Sequence, residues 1–154
     1  MNATSLVTRQ LAPVSARVNA VIKHGDPEHY SQAVALRAAL CEHVPSYRNL
    51  STEDILVYEG REVLYNCRTA LHKDIADPPK SYAILMAFGD FTGGHVRIPH
   101  LGLRVGLLPG GGIPLRGRVL PHEVELWAGG QRISVPHFTH SSMWRSMCMY
   151  SVFP

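Results

Sequence analysis

The sequence predicts a mainly β domain behind an N-terminal helical segment, and three observations carry that expectation. Thirteen glycines and eleven prolines in 154 residues interrupt the chain too often for long helices. The apolar periodicity is helical before about residue 50 and becomes strand-like after it. Eight short apolar runs then follow, separated by Gly-, Pro- and Asp-rich breaks, a spacing that suits a sandwich or a jelly-roll barrel. The length fits a single core. The expected division is a helical segment over 1–50 packing on the barrel, a β core over 51–140 and a C-terminal tail over 141–154.

The first 25 residues hold Arg9, Arg17 and Lys23 with several Ser and Thr and no acid. A mitochondrial transit peptide has this flavour, but a plain N-terminal helix or tail is the commoner cause. Asp26-Pro27 reads as an N-cap followed by proline in the first turn. Tyr30, Val34 and Cys41, with Ala33, Leu36 and Leu40, recur at helical spacing as far as about His43, and Pro45 stops the helix. Ser51 to Asp54 reads as a short capped turn.

The expected strands are Ile55–Tyr58, Glu62–Asn66, Tyr82–Phe88, His95–Ile98, Leu103–Leu107, Ile113–Gly117, Glu123–Trp127 and Arg132–Thr139. Turn chemistry lies between them at Glu59-Gly60, Asp77-Pro78-Pro79, Gly93-Gly94, Pro109 to Gly112, and Ala128-Gly129-Gly130. Pro114 and Pro136 each lack a ladder donor, so both are expected at a sheet edge or a bulge.

Composition bounds the function. Net charge is +3 with arginine far outnumbering lysine, a balance that permits an anionic partner such as nucleic acid without requiring one. No run approaches the roughly 18 apolar residues of a membrane span. Cys41, Cys67 and Cys148 form no CxxC pair and no disulfide framework, which fits a reducing compartment. The expected location is intracellular, in cytoplasm or nucleus, with mitochondrial targeting as the alternative.

The chemistry concentrates in Leu71-His72-Lys73-Asp74 and Leu120-Pro121-His122-Glu123. Two imidazoles and one carboxylate make the facial set that holds non-haem Fe(II) and leaves positions free for a bidentate co-substrate and O2. On an extended segment His72 and Asp74 point to one side and Lys73 to the other. His122 is expected from a distant strand, closing the site from across the barrel. Arg132 and Ser134, one strand-spacing apart, suit the far carboxylate of 2-oxoglutarate: a guanidinium fork with a hydroxyl on the same face. Asn66 and Arg68 lie within reach of the co-substrate's other carboxylate or of the substrate, and the Tyr82 hydroxyl is a further candidate for 2-oxoglutarate. His95, His100, His137 and His140 read as packing or substrate-mouth residues, and Trp127 and Trp144 as core aromatics before base-stacking ones.

These residues resemble the Fe(II)/2-oxoglutarate dioxygenase superfamily, in particular its TET/JBP-like branch and fungal relatives. The resemblance runs through Asn66 to Asp74, Phe88 to Gly94, Ile98 to Leu103, Leu115 to His122, and Arg132 to Ser134 leading to His140. It implies a double-stranded β-helix, with His72, Asp74 and His122 as iron ligands and Arg132, helped by Ser134, on the 2-oxoglutarate C5 carboxylate. It also implies oxidation of a C–H bond with release of succinate and CO2. The organic substrate implied is a methylated nucleobase in DNA or RNA. A small metabolite or protein side chain is the alternative, and a degenerate barrel kept as a binding module is a third. Two departures stand out: Pro109-Gly110-Gly111-Gly112 where the family commonly has an Asp after the turn, and prolines at 114 and 136.

Overall fold

A computed structural model describes residues 3–149. The chain divides into two compact units, residues 3–59 with 142–149, and residues 60–141.

The first unit is helical: α1 (Ala3–Gln10), α2 (Ala12–Gly25), α3 (Pro27–His43), α4 (Pro45–Ser51) and most of α5 (Ser141–Ser146). Asp26 caps α3, its Oδ1 accepting from the His29 N–H at 2.9 Å, with Pro27 in the first turn. Ala33, Leu36 and Leu40 are buried in the middle of α3, whereas Val34 is exposed and Cys41 half-buried. Pro45 ends α3 and starts α4. No helix among the described residues is long and apolar enough to cross a membrane.

Ile55–Tyr58 is not a strand, contrary to the alternation read from the sequence. Leu56, Val57 and Tyr58 are buried, but side chains rather than a neighbouring strand satisfy this backbone. Asn19 Oδ1 accepts from Val57 N and Asp54 Oδ1 from Leu56 N, each at 3.0 Å. The Arg37 guanidinium donates to the carbonyls of Ser51, Asp54 and Leu56. The backbone groups of Leu56 and Val57 so occupied are withdrawn from ladder pairing.

Tyr47 donates to the Glu59 carboxylate, whose burial holds it above the usual carboxylate range. A raised acid binds more protons folded than unfolded. Its stability contribution is therefore complete at low pH and is lost as pH climbs from the ordinary carboxylate value through the raised one. Glu59→Gln should raise the melting temperature at pH 8 and leave it unchanged near pH 4, as calorimetry at the two pH values would read.

The second unit is two antiparallel sheets. The larger has the order β1 (Gly60–Arg61), β8 (Trp127–Phe138), β3 (Ala83–Gly93), β6 (Gly112–Leu115), with β2 (Leu64–Tyr65) also on β8. The smaller has the order β5 (Leu103–Val105), β4 (Val96–Ile98), β7 (Glu123–Val124). Ala87 and Phe91 of the larger sheet pack with Val96 and Ile98 of the smaller, and Leu107 and Leu115 complete that core. The core thus has the face-to-face arrangement of packed sheets.

Three expectations change here. Of Glu62–Asn66 only Leu64–Tyr65 is a strand, β2, while β1 forms at Gly60–Arg61, where a turn was expected at Gly60, and Pro136 explains the gap between them. Pro136 sits inside β8 rather than at an edge, paired with Leu85 of β3. A strand residue aims its N–H and C=O to the same side, and the Pro136 carbonyl accepts from Glu62 N at 3.2 Å. The missing donor therefore faces residues 62–63, where the β1–β2 ladder lapses, and the β3 side loses nothing. Pro114, by contrast, lies on the edge strand β6. Ala128-Gly129-Gly130 is not a turn either. It lies within β8, where the pairing with β3 shifts register between Gly89 and Phe91 and Gly129 takes φ +96°. The glycines absorb a β-bulge instead of reversing the chain.

Candidate metal and 2-oxo-acid site

His72 and His122 face each other directly. They form an isolated antiparallel bridge in which each backbone N–H donates to the other's carbonyl at 3.0 Å. His122 is thus the immediate neighbour of His72, not a residue reaching across a barrel. The reason is that Pro121 and the turn at residues 117–119 bring the chain back alongside residues 72–74. Asp74 is tied to the same segment, its N–H donating to the Gly117 carbonyl at 3.0 Å. Lys73 points outward and is exposed, as an extended segment requires.

The side chains converge. His72 Nε2 lies 3.3 Å from Asp74 Oδ1, and His122 Nε2 lies 3.9 Å from Asp74 Oδ2. One ligand atom from each of the three falls within 4.8 Å of the others. The second nitrogen of each ring sets its tautomer. His72 Nδ1 is 2.9 Å from the Ala70 carbonyl and His122 Nδ1 is 3.0 Å from that of Leu120, so each Nδ1 carries the proton and each Nε2 offers a lone pair. Burial lowers the proton affinity of His122, against weaker opposing effects of the Leu120 carbonyl and Asp74 and with a small addition from His72. Three electron-pair donors then crowd one point with no proton between them, an arrangement that a divalent cation stabilises.

Gly117 closes the set from behind. A Cβ there would stand 1.8 Å from Asp74 Oδ2 and 3.1 Å from His122 Cε1. Gly117→Ala should fold normally yet weaken Fe(II) binding by about a hundredfold, the scale of a disturbed ligand orientation. Anaerobic titration alongside thermal unfolding separates the two effects.

Arg132 is buried on β8, 1% exposed. Asn66, at φ +49°, holds its backbone through two hydrogen bonds: Asn66 Oδ1 accepts from Arg132 N and Asn66 N donates to Arg132 O, both at 2.8 Å. Asn66 is therefore committed to Arg132, not to the cavity. Nη1 of Arg132 donates to Ser134 Oγ, while Nε and Nη2 have no hydrogen-bond partner among the described residues. Burial lowers its proton affinity. A buried guanidinium with one edge unmatched is costly alone and suits a carboxylate.

A cavity of about 330 Å³ has His72, Asp74, His122 and Ser134 in its wall, while Arg132 lies behind that wall, reached through its bond to Ser134. Tyr82 and Arg68 do not line it: Tyr82 stacks under the Arg116 guanidinium at 4.5 Å, and Arg68 is exposed on the loop after β2. Two residues outside the expected ligand and co-substrate set do line it, and one of them, His140, was expected as a packing or substrate-mouth residue. Asp77, which the sequence marks only as part of a turn, is buried, and burial together with the negative charge of Asp74 pushes it up to about 7. His140 Nε2 lies 3.8 Å from Asp77 Oδ1, and its ring stacks on Phe138 at 4.7 Å. The clue available in sequence was an acid one turn past Asp74, fixed by Pro78-Pro79.

The family model Tet_JBP, "Oxygenase domain of the 2OGFeDO superfamily", matches residues 2–141. No curated protein matches the chain. Among solved structures, NgTET1 in complex with 5mC DNA is similar in fold at 20% identity and a TM-score of 0.52. That similarity covers 58% of this chain and 37% of NgTET1, so the chain spans little more than a third of that protein.

Proposed function

The chain belongs to the Tet/JBP family of oxygenase domains in the 2OGFeDO superfamily, and from that premise we propose that it is an Fe(II)- and 2-oxoglutarate-dependent dioxygenase acting on a methylated nucleobase. The observation that carries the reading is the convergence of His72, Asp74 and His122 on one point, in a cavity whose wall includes Ser134, the partner of a buried, half-matched guanidinium. We read the two facing antiparallel sheets as the double-stranded β-helix of this superfamily.

His72 Nε2, His122 Nε2 and an Asp74 oxygen would hold Fe(II), and Arg132 with Ser134 would hold the distal carboxylate of 2-oxoglutarate. With O2, that centre supplies the oxidising power to convert C–H to C–OH as the 2-oxo acid leaves as succinate and CO2. The chain's own part is positioning. Leu85, Leu115 and Val124 give the cavity an apolar wall that excludes water. Asp77, protonated below about 7, can both donate and accept, and with His140 it offers a polar edge to a planar heterocycle. The Phe138–His140 stack presents aromatic surface beside that edge. Lys73, exposed between the two ligands, and Arg118, which donates to the Ile75 carbonyl, add positive charge at the rim, as a phosphate backbone requires.

The test is to load the protein anaerobically with Fe(II) and 2-oxoglutarate, admit O2, and measure succinate with methylated and unmethylated oligonucleotides. Succinate matched by oxidised base, with binding that weakens as salt rises, is expected. Succinate formed only with free metabolites would move the substrate to a small molecule, and no succinate under any condition would end the oxygenase reading.

A further inference from the structure

Resting on that assignment of Arg132, we infer that Trp127 and Phe91 are its positioning residues: their ring faces hold the guanidinium charge in place of a carboxylate and so leave its buried Nε–Nη2 edge without a protein acceptor, reserved for a dicarboxylic 2-oxo acid. The Arg132 guanidinium carbon lies 5.3 Å from the Phe91 ring centre and 5.5 Å from that of Trp127, within the range of cation–π attraction. No acid among the described residues offsets the burial of Arg132. Among the described residues the guanidinium has one polar side-chain partner, Ser134, on Nη1. The two unpartnered nitrogens, Nε and Nη2, lie along a single edge of the fork.

An aspartate or glutamate would neutralise this charge more fully, but its oxygens would take the same N–H groups the ligand needs. A ring face attracts the cation from above or below the plane and leaves the in-plane donors unmatched. The β-bulge is what makes this arrangement. Trp127 and Arg132 are five residues apart, and on a regular strand they would face opposite sides of the sheet. Between Gly89↔Arg132 and Phe91↔Gly129 the pairing gives β8 one extra residue, which returns Trp127 to the face of Arg132. Gly94, at φ +61°, leaves room for the guanidinium there: a Cβ at that position would stand 2.8 Å from Arg132 Nε and 3.4 Å from Trp127 Cβ.

The experiment compares two ligands on the Fe(II)-loaded protein, anaerobically, by titration calorimetry: 2-oxoglutarate, and 2-oxopentanoate, which keeps the 2-oxo-acid head and lacks the distal carboxylate. Trp127→Leu should weaken 2-oxoglutarate by about tenfold and leave 2-oxopentanoate unchanged, while Trp127→Phe should stay within about twofold of wild type. Equal weakening of both ligands would mean a general packing role, and unchanged 2-oxoglutarate affinity would mean no role; either overturns the inference. A wild type that does not prefer 2-oxoglutarate would instead remove the Arg132 assignment itself, and this inference with it. Should Trp127→Leu not fold, tryptophan emission of the unsubstituted chain decides. 2-Oxoglutarate should perturb it, 2-oxopentanoate should not, and Arg132→Met should abolish the response; an emission indifferent to 2-oxoglutarate overturns the inference.

Discussion

Alanine at His72, Asp74 or His122 is expected to abolish oxygen-dependent succinate formation and to weaken Fe(II) by more than about a hundredfold, beyond the loss from a merely misoriented ligand. The three are not interchangeable surface groups. His72 and His122 are locked by reciprocal backbone hydrogen bonds, and Asp74 is held by its own bond to Gly117, so none can swing to cover for another. Asp74→Asn is the sharper variant, because it keeps the shape and removes the single negative charge that offsets the cation. Thermal unfolding reads the same event without turnover. A cation at a hundredfold excess over its dissociation constant stabilises the native state by about 2.7 kcal/mol, so wild type should gain several degrees and the variants none. Variants that still gain those degrees would place the metal elsewhere. Acid should also weaken the metal, since protons compete for the Nε2 lone pairs; the burial of His122 holds its own competition to pH below the ordinary imidazole range.

How much of this was legible in sequence follows from which interactions are local. The side-by-side aim of His72 and Asp74 is a property of two residues on one extended segment, and it needs no knowledge of the rest of the chain. The cap at Asp26 and the stop at Pro45 are local in the same sense. By contrast, the segment at residues 55–58 alternates like a strand, and only Asn19 and Arg37, distant in sequence, take its backbone bonds away. Gly129-Gly130 has the composition of a turn, and whether two glycines reverse a chain or bulge it depends on the partner strand, here β3. Pro136 is tolerated inside β8 because the missing donor falls at the gap between β1 and β2, a register fact that no local pattern contains. Asp77 was hidden by the same logic. A turn residue becomes a site residue only when the fold buries its carboxyl beside Asp74.

Arg132→Met should destroy 2-oxoglutarate recognition and at the same time make the unliganded protein more stable. A bidentate, charge-assisted pair in a buried site is worth about 1.5–3 kcal/mol per hydrogen bond, so affinity should fall by roughly two orders of magnitude or more. The unliganded fold carries the opposite term. Arg132 is buried with two donors unmatched, each costing about 1–3 kcal/mol of desolvation, and methionine fills similar space beside Phe91 and Trp127 without that cost. The cation–π attraction lost with the charge, about 2 kcal/mol per ring or more in a desolvated site, offsets much of this gain, and the sulfur–aromatic contacts of methionine with the same two rings, about 0.3–1.5 kcal/mol each, tip the balance to methionine. Denaturant unfolding of the unliganded protein should therefore show a higher midpoint for Arg132→Met with an unchanged slope. Added 2-oxoglutarate should stabilise the Fe(II)-loaded wild type and not the variant. A lower midpoint would mean that the fork is already satisfied by the protein, and a residue so satisfied would not be waiting for a ligand.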